Sequence, residues 1–151
     1  MQPGTAPVSR EYPERPIVGI GAVVWRGDKV LLIRRGKPPR LGQWSLPGGA
    51  QRLGETLAEG IAREVLEETG LALDRPELLT TVDLIERDEA GAVRFHYTLV
   101  DFTAEAPEGE AIPGDDASAV GWFTLPEMRE LGLWSETVRI IELAAAGRRP
   151  A

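Results

Sequence analysis

Three glutamates in one short stretch have a spacing suited to binding a metal ion. The segment 49–71 reads GAQRLGETLAEGIAREVLEETGL. On a helix, Glu64, Glu67 and Glu68 stand at i, i+3 and i+4, so their carboxylates project from one face. Like charges at these spacings repel, but a divalent cation would make the arrangement attractive, and hard oxygen ligands suit Mg²⁺ or Mn²⁺. The alternative is a solvated helix face beside Arg63, the usual role of charged residues on a helix.

The same stretch resembles the signature of the Nudix hydrolases at every defining position. The signature is Gly, five residues, Glu, seven residues, Arg-Glu, an apolar residue, any residue, Glu-Glu, any residue, Gly and an apolar residue. It is filled here by Gly49, Glu55, Arg63, Glu64, Val65, Glu67, Glu68, Gly70 and Leu71. Similar segments surround it: IVGIGAVVWRGDKVLLIRR and QWSLPGG precede it, and FHYTLVDF and GDDASAVGWFTLPEM follow it. The resemblance extends over about residues 16–146.

This resemblance implies a fold, a reaction and a cofactor. The fold is an α/β/α sandwich with a mixed sheet between helices, and the reaction is hydrolysis of a nucleoside diphosphate linked to another moiety. Two or three Mg²⁺ or Mn²⁺ ions are expected among the three glutamates and the carbonyl of Gly48, where they would activate a water for attack on phosphorus. Gly48 and Gly49 also fit a simple tight turn, and both interpretations can hold together.

Two further signature residues are expected to support the site. Glu55, just before the helix, can accept a bidentate salt bridge from Arg63 and so fix the loop against the helix. The sequence leaves the general base open. Glu64 is the first choice because it can lie next to the metal-bound water, and Asp115 or Asp116 is the second.

Residues outside the signature are weaker candidates for substrate binding. Asp115 and Asp116, in PGDDAS, can supply a metal ligand or a base, but aspartates after Pro-Gly are also good turn formers. Arg34 and Arg35 end a predicted strand and can bind phosphate, although arginines at strand ends are mostly surface residues. His96, the only histidine, can touch substrate or be an ordinary polar strand residue.

Composition limits the class of protein. A chain of 151 residues suits one domain, here 16–147 after a flexible lead-in, 1–15, that is rich in Pro and polar residues. The absence of cysteine suits a reducing cytoplasm, and there is no signal peptide or apolar run long enough for a membrane span. A formal charge of −7 argues against a nucleic acid polymer as partner and leaves a small nucleotide as the expected one.

The order of elements agrees with one mixed α/β domain. Strands are predicted at 17–25, 30–33, 44–46, 78–87, 93–103 and 119–124, and helices at about 126–131 and 135–146. The central helix begins after Thr56, which forms a capping box with Glu59, and Gly70 ends it. A homodimer is expected, formed through the apolar strand 17–25 or the lead-in, and a monomer with its lead-in folded back is the alternative.

The downstream segments are most similar to those of small Nudix proteins that hydrolyse ADP-ribose. ADP-ribose is therefore the expected substrate, giving AMP and ribose 5-phosphate. One alternative is a MutT-like nucleoside triphosphate pyrophosphohydrolase. The other is a catalytically silent module that binds a nucleotide.

Overall fold

The computed structural model describes residues 9–37 and 40–148. These residues form seven strands and three helices, whose bounds lie within two residues of the predicted ones wherever an element was predicted. The elements in chain order are β1 (Ile17–Arg26), β2 (Lys29–Arg35), β3 (Trp44–Ser45), β4 (Gly48–Ala50), α1 (Leu57–Thr69), β5 (Glu77–Arg87), β6 (Val93–Glu105), β7 (Ala117–Phe123), α2 (Leu125–Arg129) and α3 (Ser135–Gly147).

The strands form one mixed sheet with β1 at its centre. The main path is β3-β2-β1-β6-β5, while β4 pairs with β1 and β7 pairs with β2. β1 runs parallel to β6 along most of its length, and its other edge is shared by β4 and β2. Both edges of β1 are therefore paired within the chain, which makes it an internal strand of the sheet, and the homodimer stays a prediction.

Helices cover both faces of the sheet. On one face α1 packs over the first apolar core through Ile61 and Val65, and on the other α2 and α3 pack over the second through Met128 and Ile141. Successive strand residues point to opposite faces, so β1 contributes to both cores. The first core consists of Ile20, Ala22, Val24, Leu31, Ile61, Val65, Leu71, Val100 and Phe102. The α/β/α sandwich implied by the resemblance is therefore confirmed.

Local sequence signals account for both ends of α1. The Thr56 side chain accepts a hydrogen bond from the backbone N–H of Glu59, and the Glu59 carboxylate accepts one from the backbone N–H of Thr56. Gly70 ends the helix with φ 75°, a left-handed conformation that glycine adopts without strain. Leu66, although apolar, is 52% exposed and lies outside the first core.

Part of the lead-in is held against the rest of the chain. The backbone N–H of Tyr12 donates to the carbonyl of Arg94 at 2.7 Å, and the Tyr12 hydroxyl donates to Asp88 at 2.8 Å. Glu11 forms a 2.7 Å ion pair with Arg94. Residues 1–8 of the predicted lead-in lie outside the described residues. No helix in the described ranges combines the length and apolar character needed to cross a bilayer.

Candidate active site

Arg63 lies at the centre of a network that joins α1 to the loop before it. Its Nε donates to Glu55 Oε2 at 2.9 Å and its Nη2 to Glu55 Oε1 at 2.6 Å. Nη2 also donates to the carbonyl of Ala50 at 3.1 Å. Nη1 lies 2.7 Å from Glu64 Oε1 and 3.4 Å from Glu67 Oε2. The predicted contact between Arg63 and Glu55 is present, and the same guanidinium orients two of the three helix carboxylates.

The glycine pair brings backbone directly against the helix carboxylates. The Gly48 N–H donates to Glu68 Oε1 at 2.7 Å. A Cβ at Gly49 would lie 2.5 Å from Glu64 Oε1, so only glycine allows that carboxylate its place. A Cβ at Gly48 would overlap the carbonyl oxygen of Ile20, because β4 pairs closely with β1 here. Close approach, rather than a turn alone, explains the two adjacent glycines.

The carboxyl group of Glu68 is buried and has a raised pKa. Only 8% of the residue is exposed, and this burial raises the pKa of Glu68 to about 7. The Gly48 N–H acts in the opposite direction by stabilising the carboxylate, while the negative charge of Glu64 adds to the rise. The Glu68 carboxylate would be stabilised by a nearby cation, because the positive charge would offset both the cost of burial and the repulsion from Glu64.

Glu55 is perturbed in the opposite sense. The hydrogen bonds from Arg63, joined by one from the backbone N–H of Arg52, lower the pKa of Glu55 to about 2. Arg63 in turn has its pKa raised, first by the hydrogen bond to Glu55. Each partner therefore stabilises the charged form of the other. This ion pair supports the loop and is distinct from the carboxylates available for a cation.

The donor set fits a hard divalent cation. Among the described residues, no three acidic or histidine side chains already converge closely enough to enclose an ion. Magnesium, however, usually retains several waters and takes substrate phosphates as ligands, so it needs few protein ligands. Glu64, Glu67 and Glu68 share one helix face, and the Gly48 backbone lies against it. These oxygen donors are the ones expected to hold Mg²⁺ or Mn²⁺.

The loop that carries the two candidate aspartates packs beside the end of α1. The Gly114 N–H donates to the carbonyl of Glu68 at 3.1 Å. Asp116 forms an exposed 2.7 Å ion pair with Lys37, and its charge contributes to the raised pKa of Glu68. Asp115 has φ 48°, a conformation that suits the turn interpretation. The loop is therefore near the site, and Asp116 is engaged by a lysine.

The three remaining predicted residues lie in different surroundings. Arg34 Nε donates to the carbonyl of Gly42 at 3.1 Å, which ties it to a loop. Arg35 is near enough for its charge to lower the pKa of Glu68. His96 is half-buried in β6 opposite Ile85, and no hydrogen bond in the described part of the chain links it to the α1 carboxylates. Of these three, only Arg35 is grouped electrostatically with the carboxylates of α1.

One buried acid was absent from the predicted site residues. Asp101 in β6 is 5% exposed, and its Oδ2 has no hydrogen-bond partner within the described residues. Burial raises the pKa of Asp101 to about 6, while Arg139 of α3 lowers it. Asp101 is paired in register with Gly21, the residue that also pairs with Gly48. The sequence signal was an acidic residue inside the apolar run LVDF.

Comparisons with known proteins agree with the resemblance found in the sequence. The model of the NUDIX domain matches residues 15–144. An ADP-ribose pyrophosphatase from Methanocaldococcus jannaschii is 33% identical over 82% of this chain and 70% of its own. A putative 8-oxo-dGTP diphosphatase 2 from Mycobacterium tuberculosis is 36% identical over 76% of this chain and 77% of its own. The crystal structure of a MutT NUDIX hydrolase from Burkholderia pseudomallei superimposes with a TM-score of 0.75 at 35% identity, covering 86% of this chain and 98% of that one. The chain belongs to the Nudix hydrolase family.

Proposed function

We propose that this protein hydrolyses a nucleoside diphosphate linked to another moiety, with Mg²⁺ or Mn²⁺ as cofactor. The observation that carries the proposal is the Arg63 network, which orients Glu64 and Glu67 while Glu68 lies buried beside Gly48. A helix face that only met solvent would not need a buried carboxylate with a glycine N–H directed at it. The cation would neutralise the diphosphate and lower the pKa of a water.

The residues of the chain divide into two roles. Glu64, Glu67, Glu68 and the Gly48 carbonyl would hold the ions, and Glu64 is the proposed general base because its carboxylate lies against Gly49 at the centre of the site. Glu55 and Arg63 are positioning residues. They fix the loop and set the direction of the carboxylates without touching substrate.

The surroundings of the three candidate bases support the choice of Glu64. Asp116 is held by Lys37 at 2.7 Å, and Asp115 occupies a tight turn. Neither is aligned by the Arg63 network, whereas Glu64 is held by Arg63 Nη1 at 2.7 Å. A base must be within hydrogen-bond reach of the attacking water, so a carboxylate fixed on the metal-binding face is favoured.

ADP-ribose is the proposed substrate, with AMP and ribose 5-phosphate as products. Water would add its oxygen to one phosphorus of the diphosphate while the bond to the bridging oxygen breaks. The similarity to the ADP-ribose pyrophosphatase of M. jannaschii supports this choice. The proposed setting is the cytoplasm, where the absence of cysteine from the chain imposes no redox requirement.

A MutT-like pyrophosphohydrolase is the second candidate. It is favoured by the similarity to the putative 8-oxo-dGTP diphosphatase 2, which covers comparable shares of both chains. Such an enzyme would release pyrophosphate from a nucleoside triphosphate. The same metal-binding carboxylates serve either reaction, since both break a phosphorus anhydride.

A product assay separates the candidates. The purified protein would be incubated with ADP-ribose, dinucleotides, nucleotide sugars and nucleoside triphosphates, each with Mg²⁺ or Mn²⁺ and each with a chelator. AMP from ADP-ribose supports the first candidate, and pyrophosphate from triphosphates supports the second. Tight binding of a nucleotide without turnover of any substrate would overturn both and indicate a silent module. Glu67→Gln is the matched control for contaminating hydrolases.

A further inference from the structure

A concave surface adjoins the carboxylate face of α1. It is an open groove of about 1010 Å³ between the lead-in and the loop that precedes α1. Residues 15–18 form one side and residues 50–55 the other, with Arg10 also contributing. The Gln51 N–H donates to the carbonyl of Val18 at 3.0 Å, so the two sides are joined by backbone at the base of β1.

The charge of the groove is opposite to that of the chain. Arg10, Arg15 and Arg52 line it against one acid, Glu55, which leaves a net charge of +2 in a chain of −7. Glu55 is already engaged by Arg63 and by the backbone N–H of Arg52. Within the described residues, Arg10 and Arg15 form no ion pair with any acid. Two guanidinium groups are therefore left to face an anion.

Arg52 connects this groove to the metal-binding face. Its Nη2 lies 3.6 Å from Glu67 Oε1 while the residue also lines the groove. The neighbouring Ala50, another lining residue, accepts a hydrogen bond from Arg63 through its carbonyl. The groove and the carboxylate cluster thus share one loop as a common wall. A polyphosphate bound at the α1 carboxylates could therefore extend past Arg52 into the basic groove.

We propose that the groove binds a phosphate group through Arg10, Arg15 and Arg52. Guanidinium matches phosphate geometry because two parallel N–H donors meet two oxygens. The phosphate has two possible sources, the terminal phosphate of a substrate longer than a diphosphate or free orthophosphate. The first source rests on the second candidate under the proposed function, the nucleoside triphosphate pyrophosphohydrolase, because ADP-ribose carries only a diphosphate. The second does not, since it requires no hydrolysis.

The first experiment measures binding without turnover. Inorganic phosphate is titrated into the full chain in the presence of a chelator, and the amide signals of residues 50–55 are followed by NMR. Saturable chemical-shift changes are expected in the unmodified protein. In the double variant Arg10→Gln/Arg15→Gln the dissociation constant for phosphate should be at least about tenfold higher. The matched control is Arg87→Gln/Arg129→Gln, which removes the same charge at positions outside the groove.

The second experiment identifies the source of the phosphate. KM is measured for dGTP and dGDP with Mg²⁺ in the same three proteins. The ratio compared is the KM for dGTP divided by the KM for dGDP. If this ratio rises about tenfold in Arg10→Gln/Arg15→Gln but not in the control, the groove binds the terminal phosphate of a substrate. Weaker phosphate binding with an unchanged ratio assigns free orthophosphate. Equal phosphate binding in all three proteins overturns the proposal, whether or not the chain hydrolyses any nucleotide.

Discussion

Arg63 donates two parallel hydrogen bonds to Glu55, from Nε to Oε2 at 2.9 Å and from Nη2 to Oε1 at 2.6 Å. The two residues are eight positions apart, and the bond fixes the end of the loop that precedes α1 against the helix. Both side chains are largely shielded, with 16% and 15% of their surface exposed. A bidentate pair that is protected from water is stronger than the ordinary surface ion pair.

Removing this pair should affect stability and rate together. Arg63→Ala is expected to lower Tm by about 5 °C for a domain of this size, because the loop loses its anchor. It should also lower kcat, since Glu64 and Glu67 lose their shared donor. Thermal denaturation and steady-state kinetics test this. Arg129→Ala, which removes an exposed pair with Glu142, is the control and should leave both unchanged. An unaltered melting curve for Arg63→Ala would contradict the bracing role.

The helix carboxylates should be needed for turnover and not for folding. Glu67→Gln or Glu68→Gln is expected to lower kcat by about 10²-fold or more. Without metal, stability should stay level or rise, because a like charge at i, i+3 or i+4 is removed. For Glu68 the gain also reflects removal of a buried ionisable group. Near-normal turnover in either variant would exclude the metal assignment.

A methyl group at Gly49 should disrupt the site from the backbone side. The new Cβ would lie 2.5 Å from Glu64 Oε1, so the carboxylate must move. Gly49→Ala is expected to lower kcat by about tenfold or more, since small displacements of positioned groups cost at least that much. Gly147→Ala adds the same methyl where no atom lies within 4 Å and should have no effect on rate. Equal activity of the two variants would show that Glu64 need not occupy this position.

Asp101 predicts a distinctive dependence of stability on pH. Burial raises the pKa of Asp101 from 3.8 to about 6, so the unfolded chain releases this proton more readily than the folded one. Stability is therefore lost as pH rises from 3.8 towards 6 and stays reduced above it. Asp101→Asn cannot ionise. Its free energy of unfolding relative to the unmodified protein should rise by on the order of 2 kcal/mol between about pH 4.5 and 8.

Urea denaturation in the presence of a chelator measures this difference. Any fixed cost of burying an amide adds the same amount at both pH values and cancels in the comparison. A stability difference that is independent of pH would mean that Asp101 ionises equally in the folded and unfolded chains.

Several features of this chain were determined locally and could be predicted from sequence. The limits of α1 depend on the capping pair Thr56–Glu59 and on Gly70, all of which act within one or two turns. The common face of the three glutamates follows from helix periodicity alone. The contact of Arg63 with Glu55 also followed, because the signature places Glu55 just before the helix and Arg63 eight residues later on it.

Other features depended on contacts between distant segments. β4 has only the residues GGA and no side-chain pattern, so it becomes a strand only by pairing with β1. The apolar run 17–25 was recognisable as a strand, but only its pairing with β6, β2 and β4 places it in the centre of the sheet. Periodicity shows that a strand is apolar and cannot show which strands flank it.

The chemistry of individual groups was decided last. Sequence alone treats Glu64, Glu67 and Glu68 as equivalent acids, yet only Glu68 is nearly buried and meets the Gly48 N–H. Asp101 was one acid among many until the sheet enclosed it. The basic groove arises because the lead-in returns to the loop before α1, some 40 residues away in sequence. Local rules therefore determined the helix and its ligand spacing, whereas burial and charge environment required the tertiary structure, because they depend on which distant residues exclude water.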